Sequence, residues 1–240
     1  MNEKVRIIKR AIDIAVASGG LLVAAPLFGA LAAAIKLTSR GPVFYTQHRA
    51  GAVESAAVDA FETVPTFRMY KFRTMVPDAE KATGAVLSRQ GDPRVTLVGR
   101  LLRRTRLDEL PQLLNVLRGE MSVVGPRPER PEILANLALA IPYFEERMRM
   151  VKPGITGLAQ VELSYTGQMS EGSDLRRYTE QLLNPFKLDD AEGALADDMR
   201  TKLLFDLAYS ARLEDFGSFL RTDLEIIART PLVMVLGKGV

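Results

Sequence analysis

The 240-residue chain contains no cysteine and a single histidine, His48. Without cysteine there is no disulfide, no thiolate nucleophile and no cysteine-ligated zinc or iron–sulfur centre. One histidine excludes a histidine triad and a multi-histidine metal site. Carboxylates are left as the nucleophiles, and as the ligands of any hard cation. Internal repeats and low-complexity tracts are also missing. Charge itself is missing over one long stretch, the 22 residues from Ile14 to Ile35.

That stretch is flanked by Lys4, Arg6, Lys9 and Arg10 on one side and by Lys36 and Arg40 on the other. As a straight helix it would measure about 33 Å, enough to span a hydrocarbon core of ~30 Å. Pro26 lies just past its middle, however, and Ser18-Gly19-Gly20 weakens the first half. A break at Pro26 would leave two arms of roughly 18 Å each, too short to cross but long enough to dip in and return. Both flanks are basic, so both ends are drawn to the cytoplasmic surface. The expectation is a re-entrant helix-break-helix anchoring a monotopic protein. A cleaved secretory signal fits less well, because the run exceeds the usual apolar length and Asp13 stands at its start. A core helix of a soluble protein is the third reading.

Elsewhere the composition is that of a globular protein, 47% hydrophobic and 25% charged, with a net charge of +3 and a pI near 9.2. The excess of positive charge points to an anionic partner, whether phospholipid, phosphorylated substrate or nucleic acid. Its placement is more telling than its size. Val95 to Arg106 is an amphipathic segment in which Leu97, Leu101 and Leu102 alternate with Arg100, Arg103, Arg104 and Arg106. Beside a membrane anchor, such a helix is expected at the interface, drawn to anionic headgroups.

The segment leads directly into Leu107-Asp108-Glu109-Leu110-Pro111. Leu110, Leu113, Leu114 and Leu117 recur at helical spacing, which predicts a helix from about Glu109 to Leu117 with Asp108 at its N-cap and Pro111 in the first turn. The positive end of that helix would favour an ionised Asp108. Some fifteen residues on, Arg127 stands between Pro126 and Pro128, which hold it extended and stiffen its stem. A guanidinium so held loses less freedom when it clamps phosphate oxygens. Taken singly, an Asp at a helix start is usually a cap and a Pro-Arg-Pro a surface loop; together they make a candidate phosphate site.

Before this block, Gly41-Pro42 is a turn leading to a short extended run, and Thr66 to Met75 reads as a second strand. Its alternation puts Lys71 and Arg73 on one face and Tyr70 and Phe72 on the other. The stretch from Ala50 to Pro65 reads as a loop without catalytic content. Past Arg127, Phe144 to Met150 has helical character, Lys152 to Leu158 forms a rigid Pro-Gly turn, and Gln168 to Arg200 reads as an acidic surface insertion. Leu203 to Tyr209 and Leu220 to Val235 return to amphipathic helix.

Taken in order, Lys9-Arg10-Ala-Ile-Asp13, Gly41-Pro42-Val43-Phe44, Lys71-Phe72-Arg73-Thr74-Met75, Asp92-Pro93-Arg94-Val95-Thr96, Leu107-Asp108-Glu109-Leu110-Pro111-Gln112, Met121 to Glu129 and Lys152 to Gly157 closely resemble the bacterial sugar transferase family. Its members are monotopic polyprenyl-phosphate phosphoglycosyltransferases. The resemblance implies transfer of a sugar-1-phosphate from a nucleoside diphosphate sugar, such as a UDP-sugar, to a polyprenyl phosphate, as the first membrane step of glycan assembly. It further implies that Asp108 attacks the β-phosphate to form a covalent intermediate, and that Mg2+ is held by Asp108 and Glu109, with Glu109 as base or further ligand. Arg127, Lys71, Arg73 and Arg94 are implied to bind phosphate.

The resemblance also places the protein at the cytoplasmic face of the bacterial inner membrane, in the compact form without additional preceding transmembrane helices, with the phospholipid bilayer as partner. The fold class expected is α+β, mainly helical. A re-entrant anchor over residues 1–40 precedes a catalytic domain over 41–240 with interfacial helices, a short β element and an insertion at 168–200. The C-terminal helices offer surfaces for a homodimer. Two other readings are weighed. A tethered basic module binding lipid or nucleic acid gives no reason for the paired acids, so no nucleic acid partner is expected. A phospho-aspartate phosphatase would differ in using water as acceptor.

Overall fold

In the computed structural model, the apolar stretch belongs to one long helix, α1 (Glu3–Thr38), capped by Asn2, whose side-chain oxygen accepts from the Val5 amide. The structure describes residues 1–53, 64–79, 81, 92–163 and 191–235.

The expected break at Pro26 is corrected here, because the helix runs through the proline. A proline removes one N–H from the helical ladder and leaves the neighbouring bonds in place, so it can bend a helix without ending it. The apolar residues on either side are good helix formers apart from Gly19, Gly20 and Gly29.

The two ends of α1 do different things. Val5, Lys9, Asp13 and Ala17 are buried in the main core. Further along, Leu22 and Val23 are 77% and 82% exposed, although the helix is long and apolar enough to cross a membrane. Large apolar side chains left so exposed mark a surface that needs a nonaqueous neighbour.

Two small sheets follow. Strands β1 (Phe44–Ala50) and β2 (Thr66–Phe72) pair antiparallel, with Tyr45 opposite Lys71 and Arg49 opposite Phe67. Strand β2 stops at Phe72, short of the expected Met75. Beyond Phe72 the register continues for one bond, the Arg73 amide donating to the Val43 carbonyl, and Met75 then bridges to Val95 instead. Strands β3 (Ser122–Val124) and β4 (Gly154–Thr156) pair in parallel, so the segment expected to be a plain Pro-Gly turn contains a strand.

Glycine explains that pairing. The Gly125 amide donates to the Thr156 carbonyl, and the Gly154 amide to the Pro126 carbonyl, both at 2.9 Å. A Cβ on Gly125 would meet the Lys152 carbonyl, and one on Gly154 would meet the Gly125 amide. The two glycine motifs, far apart in sequence, let two backbones approach as only glycines permit.

The helices close the fold. The amphipathic segment forms α2 (Leu97–Arg104), started by Thr96, whose hydroxyl accepts from the Gly99 amide. Then come α3 (Gln112–Arg118), α4 (Pro131–Ala140) and α5 (Leu158–Glu162). The last pair is α6 (Ala191–Arg212) and α7 (Phe216–Val235). Phe144–Met148 is a 3-10 helix. Most of the expected loop at 50–65 and insertion at 168–200 lies outside the described residues; residues 191–200 form the first part of α6.

The main core gathers α1, β2, α3, β3, α5, α6 and α7 around Phe205, Tyr209 and Phe219. A second cluster packs Ile35 with Phe72 and Leu102, joining the far end of α1 to β2 and α2.

Candidate active site

Asp108 and Glu109 lie in a 3-10 turn, Leu107–Glu109, ahead of α3. The expected helix start at Glu109 is corrected: α3 begins at Gln112, and Asp108 is not its cap. Pro111 has no amide to donate to a cap and itself takes the N-cap position. Arg106 causes the turn. Its left-handed backbone (φ 56°, ψ 13°) reverses the chain at the end of α2, a conformation that costs a non-glycine residue about 1 kcal/mol or more and that clusters at functional sites.

The two carboxylates, neighbours in sequence and both buried, have opposite surroundings. Glu109 Oε1 receives Lys71 Nζ at 2.9 Å and Arg127 Nη2 at 2.7 Å, with Arg106 Nη1 at 3.7 Å. Burial works to raise the Glu109 carboxyl, but Arg127, Lys71 and Arg106 outweigh it and hold the group well below the ordinary carboxylate range. Asp108, among the described residues, makes no hydrogen bond. Burial raises its pKa, and Glu109 beside it adds to the rise, against the opposing pull of Lys71, Arg103 and Arg106. Expecting a helix terminus to favour the Asp108 anion was therefore wrong in cause: burial dominates there, and nearby cations supply the compensation.

The cations are arranged by distant elements. Lys71 comes from β2, 38 residues from its partner, and burial lowers its pKa while Glu109 opposes the shift. Arg127 comes from the loop after β3, where buried Arg147 donates Nη2 to the Arg127 carbonyl at 3.1 Å and pairs with Asp206 of α6 at 2.7 Å. Arg49, at the end of β1, was missed in the sequence. It donates to the Pro128 carbonyl at 3.1 Å and lines a small cavity with Lys71, Gln112 and Arg127. Burial, then Arg127, lowers its pKa to about 10. Alternation along β1, which puts Gln47 and Arg49 on one face, was the available signal.

The family profile described as bacterial sugar transferase matches residues 4–237. The chain belongs to the bacterial sugar transferase family. A relative from Aeromonas hydrophila, named UDP-N-acetylgalactosamine-undecaprenyl-phosphate N-acetylgalactosaminephosphotransferase, is 35% identical over 97% of this chain and 44% of its own length. An undecaprenyl-phosphate glucose phosphotransferase from Komagataeibacter xylinus is 44% identical over 70% of this chain and 30% of its own length. The exopolysaccharide production protein PSS of Rhizobium leguminosarum bv. phaseoli is 42% identical over 65% of this chain and 74% of its own length. The chain thus spans less than half of the first two relatives.

The other residues singled out in the sequence are dispersed. Arg73 reaches the end of α1, donating to the Ser39 carbonyl at 2.9 Å and the Ser39 hydroxyl at 2.7 Å, where it satisfies groups left over at a helix terminus. Arg94 forks onto Asp92, with Nη2 to Oδ2 at 2.6 Å. The four arginines of the basic segment divide. Arg100 and Arg104 are exposed next to exposed Leu97 and Leu101. Arg103 instead donates Nε to the Thr74 hydroxyl at 2.9 Å, and Arg106 faces Glu109.

The Lys9-Arg10-Ala-Ile-Asp13 motif, given no role in the sequence, ties α1 to this site. Lys9 Nζ donates to the Val124 carbonyl and the Tyr209 hydroxyl, both at 2.9 Å, and pairs with Asp223 at 2.7 Å. Arg10 donates to the Val116 and Leu117 carbonyls at the end of α3. Asp13 Oδ1 accepts from the Ser122 hydroxyl at 2.9 Å and the Val123 amide at 2.8 Å. One helix face thus fixes both α3 and β3, the strand that leads into Arg127. Asp13→Ala leaves two buried donors without an acceptor and is expected to lower stability by about 1–3 kcal/mol, measured as a shift in urea midpoint; an unchanged midpoint would contradict this linkage.

Among the described residues no group of three or more His, Asp or Glu could hold a metal. Magnesium needs less, one or two carboxylates with substrate phosphates and water completing its shell. Asp108 fits that part. Glu109 fits it poorly, because its Oε1 already faces three cations.

Proposed function

We propose that the protein transfers a sugar-1-phosphate from a UDP-sugar to undecaprenyl phosphate, releasing UMP and forming a polyprenyl diphosphate sugar. The observation that carries the reading is the contrast within the dyad: a buried Asp108 that makes no hydrogen bond among the described residues, beside a Glu109 that gathers Lys71, Arg106 and Arg127. The names of the relatives support the substrate classes and a role in exopolysaccharide or related glycan synthesis.

The chemistry is a double displacement. The donor diphosphate enters the cavity lined by Arg49, Lys71 and Arg127, whose charges meet its oxygens. An Asp108 oxygen attacks the β-phosphorus, the bond from that phosphorus to the bridging oxygen breaks, and UMP departs with the electron pair. An oxygen of the lipid phosphate then attacks the same phosphorus and displaces Asp108. Glu109 is the anchor that keeps Lys71 and Arg127 in place. Magnesium, held by Asp108 and the donor's own oxygens, would neutralise charge on the diphosphate.

The test is lipid-dependent UMP release by purified protein given magnesium, polyprenyl phosphate and a panel of UDP-sugars. Release with no lipid would make it a hydrolase, and no release with any donor would end the reading.

The setting proposed is the cytoplasmic face of the inner membrane. The apolar stretch of α1 enters the bilayer and returns by bending at Pro26, while α2 rests on the surface through Leu97, Leu101, Arg100 and Arg104. Since the chain has no cysteine of its own, Glu3→Cys and Arg40→Cys can each be probed with a membrane-impermeant thiol reagent. Both are expected to react from the cytoplasmic side; labelling from opposite sides would mean that α1 crosses.

A further inference from the structure

Glu109 stands where two cavities of different character meet. One is the small cationic cavity of Arg49, Lys71 and Arg127. The other is an open cleft of about 150 Å³, walled by Leu110, Leu113, Ile155, Val161, Val233 and Met234. Among the described residues, Arg106 and Glu109 are its only charged lining residues.

The polar lining of this cleft is turned inward. Thr230 donates to the Ile226 carbonyl at 2.7 Å, and its hydroxyl lies 2.8 Å from that of Thr156. Gln160 donates its amide to the Ile155 carbonyl at 3.2 Å. What remains for a ligand among the described residues is an apolar wall with the Gln160 Oε1, which has no hydrogen-bond partner there, and the Arg106–Glu109 pair at one end, where the Arg106 guanidinium suits the anionic head of a molecule with an apolar body.

The cleft is also continuous with the apolar part of α1. A Cβ on Gly20 would lie 3.1 Å from a Leu113 methyl. Leu110 packs in the cluster of Phe28, Leu31 and Ile35. Two wall residues therefore rest on α1 at points before and after Pro26, flanking the exposed Leu22 and Val23. A ligand whose tail stays in the bilayer could reach the dyad along this wall without exposing that tail to water.

We propose that this cleft is the acceptor site, taking the first isoprene units of the polyprenyl phosphate against Leu110, Leu113, Ile155 and Val233, with its phosphate at Arg106. The assignment rests on the transferase reading above, and it separates the two substrates: nucleotide sugar at the cationic cavity, lipid in the apolar cleft, with Glu109 lining the cleft and bonded to Lys71 and Arg127 of the cavity.

The test is photolabelling of the full wild-type chain in lipid nanodiscs with a polyprenyl phosphate carrying a diazirine in its first isoprene units, followed by peptide mapping. Label is expected on the segments holding Val161 and Val233, displaced by undecaprenyl phosphate and not by equal phosphatidylglycerol. Displacement by phosphatidylglycerol would make the cleft a site for bulk lipid and overturn the proposal. Independently, Val233→Trp is expected to raise KM for the lipid about tenfold, the scale of one blocked apolar contact group, while KM for the nucleotide sugar stays put. Leu224→Trp, exposed on the same helix outside the cleft, is the control and leaves both unchanged. A protein that turns over but is labelled elsewhere, or a Val233→Trp variant with unaltered lipid KM, sinks the cleft assignment. Labelling in the cleft with no UMP release under any donor would uphold the cleft and sink the transferase reading.

Discussion

Asp108→Asn is expected to abolish lipid-dependent UMP release, lowering kcat by at least about 10³-fold, while leaving the protein as stable as wild type or slightly more so. The loss follows from the role: an amide oxygen is a poor nucleophile toward phosphorus, and removing a covalent nucleophile costs factors of this order or larger. The unchanged stability follows from the surroundings. Asp108 makes no hydrogen bond among the described residues, so a near-isosteric amide breaks none. Its folded pKa is raised, so the native state binds the proton more tightly than the unfolded chain does, and stability falls as pH climbs from the unfolded value through the folded one. A neutral side chain removes that penalty. An active-site group that weakens the fold it serves is the usual trade of stability for function. Donor given without lipid should leave a phosphosugar on the wild-type protein, detectable as an added mass on the peptide containing Asp108, and none on the variant. Wild-type rates in the variant would remove Asp108 from the mechanism.

The sequence disclosed the local parts of this site and hid their assembly. Leucine spacing marked α3, and the doubly constrained Arg127 stood out because proline acts on its own neighbours. The position of the dyad relative to α3 was misread because the decisive residue, Arg106, adopts a left-handed backbone that an arginine does not advertise. Lys71 and Arg73 share a strand face by alternation, yet β2 ends between them, and only Lys71 reaches Glu109. Arg49 escaped notice because its strand bordered a stretch read as inert. The Lys9 pair with Asp223 spans 214 residues and has no local signature. Gly154 was read as part of a turn and Gly125 only as part of a motif; that they permit one backbone to lie on the other needed both strands in view.

One consequence is that α1 cannot be understood as an anchor alone. Its first turns carry Lys9, Arg10 and Asp13, which fix α3 and β3, and its later turns carry the exposed apolar residues and pack against Leu113. The same element thus helps set the position of Arg127 through β3 and carries the exposed apolar stretch.

Glu109→Gln tests whether that site is organised by charge. The substitution keeps the shape of the side chain and removes the anion that Lys71, Arg127 and Arg106 share. Removing one partner of a buried ion pair typically costs about 3–5 kcal/mol. Because Arg127 and Arg106 keep part of their contact with solvent, the expected loss sits at the lower end, about 3 kcal/mol. Wild type should show the matching pH dependence: the folded pKa of Glu109 is depressed, so its contribution is complete above the unfolded value of about 4.3 and is lost as pH falls through the folded value. The variant should lack this acid-labile part of its stability. An anion can restore what the substitution takes away, since a phosphate placed among the three cations supplies the missing charge. UMP is therefore expected to raise the melting temperature of Glu109→Gln by more than it raises that of wild type, even as turnover falls because Lys71 and Arg127 are no longer held for the donor. Equal stability of the two proteins, or equal response to UMP, would mean that the cations are placed by their own strands and loops and that Glu109 is free for another task.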